Sequence, residues 1–144
     1  MPEPRLVLDS NVYVSGLLWT GLPHRLLRVA EAGEIILVTT PSILEEVRNA
    51  LGRERFAARL AALTTSPAEL LGALVNILTV VKEPPVEPVI AQDPDDDKVL
   101  ACAKASQAQW IVTGDSHLLA MKRYHEIPIV TPRQFWQIWT RRAK

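Results

Sequence analysis

Cysteine is almost absent from this chain of 144 residues, which contains only Cys102. A single cysteine cannot form a disulfide within the chain, so we expect a protein of a reducing compartment, the cytoplasm. The three histidines, His24, His117 and His125, have no zinc-ligand spacing with that cysteine. Glycine is also sparse, and the sequence has neither a glycine-rich phosphate loop nor a nucleophile elbow. Zinc, nucleotide-loop and serine-hydrolase chemistry are therefore disfavoured.

Long hydrophobic runs and an excess of one charge are absent as well. The longest apolar stretch, residues 70–81, is interrupted by Asn76 and Thr79 and is too short to span a bilayer. Residues 1–5 lack the basic and apolar regions of a signal peptide. Sixteen basic and sixteen acidic residues cancel, so binding to nucleic acid would need local basic patches. Length and composition predict one folded domain over residues 1–144 with no membrane association.

Short runs rich in Val and Ile alternate with helical patterns along the chain. This alternation predicts an α/β fold, a three-layer α/β/α sandwich with a central, mostly parallel sheet. Several helices are predicted to begin at a capping residue followed by proline, as at Thr40-Pro41 and Thr131-Pro132. The predicted strands are residues 5–9, 34–39, 78–81, 110–113 and 128–130. The predicted helices are residues 11–18, 23–32, 41–51, 67–76, 94–105, 116–124 and a last one after Pro132.

The six aspartates are confined to three short stretches, each where an apolar run gives way to a helix. Asp9 ends the first predicted strand, Asp115 follows the fourth, and the other four lie in residues 93–97. An N-cap role would explain any one of them. The carboxyl ends of parallel strands meet at one edge of a sheet, however, so we expect the set to converge. Converging carboxylates need a cation, and a set of oxygen ligands suits Mg²⁺ or Mn²⁺.

Helix geometry separates neighbouring acids. Asp96 shares the buried stripe of its predicted helix, whereas Asp97 lies about 100° away. Glu46 lies on the flank of the apolar face of its helix, whereas Glu45 points towards solvent. Asp96 and Glu46 are therefore the better ligand candidates, with Asp93 and Asp97 as possible helpers.

Four short motifs, in this order and at these spacings, resemble the PIN-domain family. They are Asp9-Ser10-Asn11-Val12, Pro41-Ser42-Ile43-Leu44-Glu45-Glu46-Val47, Asp93-Pro94-Asp95-Asp96-Asp97-Lys98 and Val112-Thr113-Gly114-Asp115. The chain looks closest to the toxins of bacterial and archaeal toxin–antitoxin systems, relatives of the VapC-type ribonucleases. The resemblance covers nearly the whole chain.

The resemblance implies a Mg²⁺- or Mn²⁺-dependent endoribonuclease that hydrolyses RNA phosphodiester bonds and is controlled by a cognate antitoxin protein. Asn11 and Thr113 match polar positions that support the site. One departure is His117, where relatives of this subgroup often carry a further acid, so a second metal position would be weaker here. The family's catalytic and metal-binding acids fall on Asp9, Glu46, Asp96 and Asp115.

Two other interpretations stay open at this point. A phosphohydrolase of the haloacid dehalogenase type also has an aspartate after its first strand, but it needs a second acid where Asn11 stands. A degenerate PIN module would bind RNA or a protein partner without cutting. Basic clusters follow Glu46 (Arg48, Arg53, Arg55 and Arg59), follow Asp115 (residues 122–125) and close the chain, and Trp19, Trp136 and Trp139 could stack on bases, yet the sequence identifies no substrate-binding residue. The apolar segment 67–81 fits either a homodimer or an antitoxin groove.

Overall fold

The Val- and Ile-rich runs form the strands of one sheet in the computed structural model, which describes residues 3–88 and 93–142. The strand order is β3-β2-β1-β4-β6-β5, and every neighbouring pair is parallel except β5 and β6. The strands are β1 (Arg5–Leu8), β2 (Ile36–Thr39), β3 (Leu78–Val80), β4 (Trp110–Val112), β5 (Arg123–Tyr124) and β6 (Ile127–Val130).

Helices pack on the sheet and complete the predicted α/β/α sandwich. A short 3₁₀ helix, Glu54–Phe56, precedes the fourth α-helix. In the part of the chain that the structure describes, none of the helices combines the length and the apolar character needed to cross a membrane. The α-helices are α1 (Ser10–Leu18), α2 (Leu22–Glu31), α3 (Pro41–Leu51), α4 (Ala57–Ala62), α5 (Pro67–Val75), α6 (Pro94–Ser106), α7 (Ser116–Met121) and α8 (Pro132–Arg142).

The middle of the sheet is covered on both faces. Leu6, Val7 and Leu8 of β1 point alternately to the two faces, and all three are fully buried. Helix α6 contacts β1, β2 and β4, and α8 contacts β4, β6 and α2. This rigid core fixes the ends of β1 and β4, from which the acidic residues emerge.

The predicted helix starts are confirmed. Thr40, Ser66 and Asp93 each accept a backbone N–H of the helix that follows. Thr131 and Gln134 form a reciprocal pair, in which each side chain accepts the other residue's backbone N–H. These capping bonds set the residue at which each helix begins, and the N-cap of α6 is one of the clustered aspartates, Asp93.

The predicted helix 116–124 is wrong at its C-terminal end. Helix α7 stops at Met121, because Lys122 adopts a left-handed φ of 65°. The chain then forms β5, which pairs with β6 around a two-residue turn, His125-Glu126. Both turn residues have positive φ, 47° and 68°, as a type I′ hairpin turn requires. The Asn-Gly pair that usually marks such a turn is missing, so the sequence predicted that the helix continues to residue 124.

One further segment differs from expectation. The 3₁₀ helix and α4, between residues 54 and 62, were not predicted.

The stretch 82–92, which contains Pro84, Pro85 and Pro88, is predicted from the sequence to be a loop. Residues 82–88 form neither helix nor strand, and residues 89–92 lie outside the described residues. Glu83 in this loop accepts hydrogen bonds from the backbone N and the hydroxyl of Ser42, both at 2.8 Å. The loop is therefore attached to the start of α3.

Gly16 allows α1 and α2 to pack closely. A Cβ atom at this position would lie 2.9 Å from both the Leu27 side chain and the Pro23 carbonyl oxygen. We expect Gly16→Ala to lower the free energy of unfolding by about 1–3 kcal/mol, because backbone and core must shift. At Gly72, in α5, an added Cβ would meet no heavy atom within 4 Å, so Gly72→Ala should stabilise by up to about 1 kcal/mol. Urea denaturation measures both variants, and equal stability of the Gly16→Ala protein and its parent would contradict the packing.

Candidate metal centre

The candidate site lies where the strand order of the sheet reverses. From β1 the chain moves to β2 and β3 on one side, whereas β4 and β6 lie on the other. Leu8 of β1 pairs with Val112 of β4, and the Asp9 backbone N donates to the Val112 carbonyl oxygen at 3.2 Å. The two strands therefore end side by side, and such switch points are where open α/β sheets bind ligands.

Asp9 and Asp115 are joined through Thr113. Asp9 is buried and caps α1 by accepting the Val12 N–H at 3.0 Å through Oδ1. The Thr113 hydroxyl donates to Asp9 Oδ2 and accepts the Asp115 backbone N–H at 2.9 Å. Burial raises the pKa of Asp9, and the hydrogen bonds from Thr113 and Val12 oppose that rise. Gly114 has no positive φ, so this turn does not depend on the conformational freedom of glycine. The hydrogen bond from the Asp115 N–H to the Thr113 hydroxyl stabilises it.

Asp96 is a buried carboxylate with one oxygen left unsatisfied by the described residues. It lies in the first turn of α6 and is only 6% exposed. Its Oδ2 has no hydrogen-bond partner among residues 3–88 and 93–142. Burial, and then the charge of Asp115, raise the pKa of Asp96 to about 7. A buried, unpartnered carboxylate oxygen is costly unless something positive binds it.

Asp115 and His117 lie next to Asp96. One ligand atom from each of the three residues lies within 4.8 Å of the others, close enough for all three to contact one ion. Asp115 caps α7 by accepting the His117 backbone N–H at 2.7 Å. The imidazole Nδ1 lies 3.6 Å from Asp115 Oδ1, and the His117 side chain is 63% exposed. Asp96 thus forms the buried floor of the cluster and His117 its open side.

Glu46 approaches the same region from α3. The Ser10 hydroxyl, in the first turn of α1, donates to Glu46 Oε1 at 2.6 Å. Burial raises the pKa of Glu46, the Ser10 hydrogen bond lowers it, and the charges of Asp95, Asp93 and Asp9 raise it. Glu46 is therefore in the electrostatic field of the aspartates, as the sequence geometry led us to expect. Glu45, next to it on the helix, is exposed.

Comparison with known proteins fits this geometry. The PIN domain family profile matches residues 5–117, a span that contains every acid described above. The chain belongs to the PIN-domain family. An uncharacterized protein of Methanocaldococcus jannaschii is 28% identical to this PIN domain over 142 residues, covering 91% of the chain and 88% of that protein. PIN domains are generally metal-dependent nucleases, so the fold is of a nuclease type.

The four residues that the sequence predicted to support the site differ in how deeply they are buried. Asn11 is exposed at the start of α1, and Thr113 is fully buried. Asp93 is half-buried, and its Oδ1 accepts the Asp95 N–H at 3.0 Å. Asp97 is as buried as Asp96, although the helical pattern placed only Asp96 on the buried stripe. The difference arises because α6 is covered on more than one side, with residues 99–103 all buried.

Sequence reasoning missed two residues at this site. Ser10 was part of a motif, but no sequence signal connects its hydroxyl to Glu46, which is 36 positions away. His117 was interpreted as the loss of an acid, and the structure places it beside Asp96 and Asp115. The i, i+2 spacing of Asp115 and His117 at a helix start was the available signal for that contact.

The residues fit a divalent cation. The structure brings ligand atoms of Asp96, Asp115 and His117 within reach of one ion. Asp9 and Glu46 are instead hydrogen-bonded to Thr113 and Ser10. Both are linked to the other aspartates through their charges, and hard divalent ions prefer oxygen ligands. Asp96 and Asp115 have carboxylate oxygens within 4.8 Å of each other, so the two ionised side chains would repel unless a cation or a shared proton lay between them. An acidic cluster of this composition could bind a metal ion.

Glu46 and Glu45 form a matched pair for testing this arrangement. We expect Glu46→Gln to weaken divalent-ion binding by about tenfold or more, as removal of a metal-site residue typically does. Glu45→Gln changes the net charge equally but lies on the exposed face of α3, so its affinity should equal that of the parent. Isothermal titration with Mn²⁺ gives both constants. Equal weakening in the two variants would show that only the overall charge matters.

Proposed function

We propose that this PIN domain is an endoribonuclease that hydrolyses RNA phosphodiester bonds with Mg²⁺ or Mn²⁺. Asp9, Glu46, Asp96 and Asp115 would hold the ion. The observation that carries the proposal is Asp96, a buried carboxylate whose Oδ2 lacks a partner among the described residues and lies beside Asp115. A helix-start role accounts for an acid at this point of α6, but it leaves the buried oxygen unsatisfied by the residues that the structure describes, and a bound metal ion would satisfy it.

Hydroxyl groups of the chain orient the proposed ligand carboxylates. The Thr113 hydroxyl orients Asp9, and the Ser10 hydroxyl orients Glu46. The Asp115 side chain is 21% exposed and the neighbouring His117 side chain 63%, so a phosphate would reach the ion from this side of the cluster. When bound, a divalent ion supplies a nucleophilic water at neutral pH and stabilises negative charge on the phosphate oxygens. The carboxylates would hold that ion in a fixed place, since each is itself held by a helix cap, a hydroxyl or burial.

Family membership separates the earlier alternatives. It leaves nothing in favour of a haloacid dehalogenase, whose second acid would occupy the position of Asn11, here an exposed amide. A PIN module that binds without cutting would tolerate loss of the acids, yet all four are present in this chain. The complete acidic set favours the nuclease.

The biological role in the proposal is that of the toxin of a type II toxin–antitoxin pair, acting on RNA in the cytoplasm. The motif resemblance supports this role. A homodimer also belongs to the proposal, and two exposed apolar residues at one edge of the sheet support it. Val80 lies in the edge strand β3 and is 43% exposed, and Val75, at the end of α5 before that strand, is 41% exposed. Induced expression of the active chain should arrest growth, whereas the Asp96→Asn variant should not.

A cleavage assay tests the proposed activity. Protein stripped with EDTA is incubated with labelled RNA, with DNA of the same sequence and with a simple phosphate monoester. We expect RNA fragments only after Mg²⁺ or Mn²⁺ is restored. Turnover of the phosphate ester alone would support a phosphohydrolase, and RNA binding without cleavage would support an inactive module. Either result would overturn the proposal.

A further inference from the structure

The side chain of His117 has no assigned role in the proposed four-carboxylate site, yet it belongs to the tightest group of possible ligands. Its imidazole, the Asp96 carboxylate and the Asp115 carboxylate offer atoms that all lie within 4.8 Å of one another. Asp9 and Glu46, by contrast, are turned towards Thr113 and Ser10. An imidazole nitrogen of His117 therefore lies at the exposed side of the Asp96–Asp115 cluster.

The position of His117 is fixed by the same contact that caps α7. Its backbone N–H donates to Asp115 Oδ1 at 2.7 Å, so the two residues cannot separate while the helix start is intact. The imidazole Nδ1 is 3.6 Å from that oxygen, longer than a good hydrogen bond. A direct pairing with Asp115 is therefore not what holds the ring here, and an ion between them would use both groups.

Asp96 provides the independent observation that points to a ligand. It is only 6% exposed, and its Oδ2 has no hydrogen-bond partner among the residues that the structure describes. The buried Asp96 carboxylate and the exposed His117 imidazole thus lie within 4.8 Å of each other and of Asp115.

We infer that His117 is a metal ligand of this site, supplying one imidazole nitrogen to a divalent ion that Asp96 and Asp115 also contact. This inference rests on the proposed metal-dependent activity and names a ligand beyond its carboxylates. An imidazole nitrogen is a common ligand of transition metals, whereas Mg²⁺ binds oxygen and keeps its waters. The mixed set therefore selects a divalent transition metal over Mg²⁺.

Pulsed electron paramagnetic resonance of bound Mn²⁺ tests the ligand directly. Mn²⁺ is a conservative probe, because it binds nitrogen and oxygen sites more weakly than the later first-row ions do. The protein stripped with EDTA and reloaded with Mn²⁺ should show a nitrogen coupling from one directly bound imidazole. His117→Asp keeps an oxygen ligand and should still bind Mn²⁺, but without that coupling.

Competition measures the selectivity. The Mg²⁺ concentration that displaces half of the Mn²⁺ should be about tenfold lower in the His117→Asp protein than in the parent, given the usual effect of altering a metal site. His125→Asn is the matched control, since His125 is exposed in the β5–β6 turn and asparagine tolerates its positive φ. This control should retain both the coupling and the selectivity.

The outcomes separate this inference from the proposed function. Mn²⁺ binding without any nitrogen coupling in the parent would overturn the role of His117 and leave the four-carboxylate nuclease standing. A coupling that persists in the His117→Asp protein would overturn it as well. A nitrogen-coupled ion in a protein that does not cut RNA would support His117 as a ligand and overturn the ribonuclease.

Discussion

Asp96→Asn will reduce metal-dependent RNA cleavage by about 10³-fold or more. A metal ion contributes several kcal/mol to the transition state, and each 1.36 kcal/mol corresponds to a factor of about ten in rate. Asparagine has nearly the same shape as aspartate but lacks the charge that would retain an ion against Asp115. Single-turnover cleavage of a labelled RNA under saturating Mn²⁺ measures the loss.

Glu45→Gln is the control for this variant, because it removes one negative charge from an exposed face of α3 and should cut RNA at the parental rate. The circular dichroism spectra of both variants should match the parent, since neither replacement changes side-chain volume appreciably. Parental cleavage by the Asp96→Asn protein would remove Asp96 from the catalytic site and leave its buried carboxylate unexplained.

The metal-free protein will lose stability as the pH rises from about 4 to about 7. The pKa of Asp96 is near 3.8 in the unfolded chain and about 7 in the folded one, because burial and the Asp115 charge disfavour ionisation. Between these values the folded state binds more protons than the unfolded state, so the free energy of unfolding falls with rising pH. The pKa values of Asp9 and Glu46 are raised by burial as well, which acts in the same direction. We expect a loss on the order of 1–3 kcal/mol, the usual cost of a buried unsatisfied group.

Urea unfolding at pH 4.5 and at pH 8, with EDTA present, measures this slope. In the Asp96→Asn protein the slope should be smaller, so at pH 8 the metal-free variant should be more stable than the parent. Saturating Mn²⁺ should reverse the order, since a ligand at 100 times its Kd adds about 2.7 kcal/mol to the parent alone. A parent that gains stability between pH 4.5 and 8 without metal would contradict the burial of a strained carboxylate.

The sequence predicted the sheet and most helices because their signals are local. Apolar runs of β1, β2 and β4 are bounded by caps and turns, and capping residues before proline mark four helix starts. The β5–β6 hairpin was not predicted, because its turn, His125-Glu126, has two non-glycine residues at positive φ. Helix α4 was not predicted for a different reason. Only Leu60 of this helix is buried, so its sequence shows almost no helical apolar pattern.

The positions of several candidate acids could be predicted because strand ends and helix faces follow simple geometry. Asp9 and Asp115 emerge from neighbouring strands, and the face of α3 distinguishes Glu46 from Glu45. The Ser10–Glu46 bond and the approach of His117 to Asp96 could not be predicted, because each depends on how two separate helices pack. The burial of Asp97 could not be predicted either, since it depends on which elements cover α6 and not on the periodicity of α6 itself.

A crystal structure of the protein with Mn²⁺, with anomalous scattering recorded for manganese, tests the central claim most directly. The account predicts one strong peak between Asp96 and Asp115, about 2.0–2.3 Å from an oxygen of each. A density map with manganese bound only elsewhere on the protein, and the Asp96 carboxylate still without a partner, would contradict it.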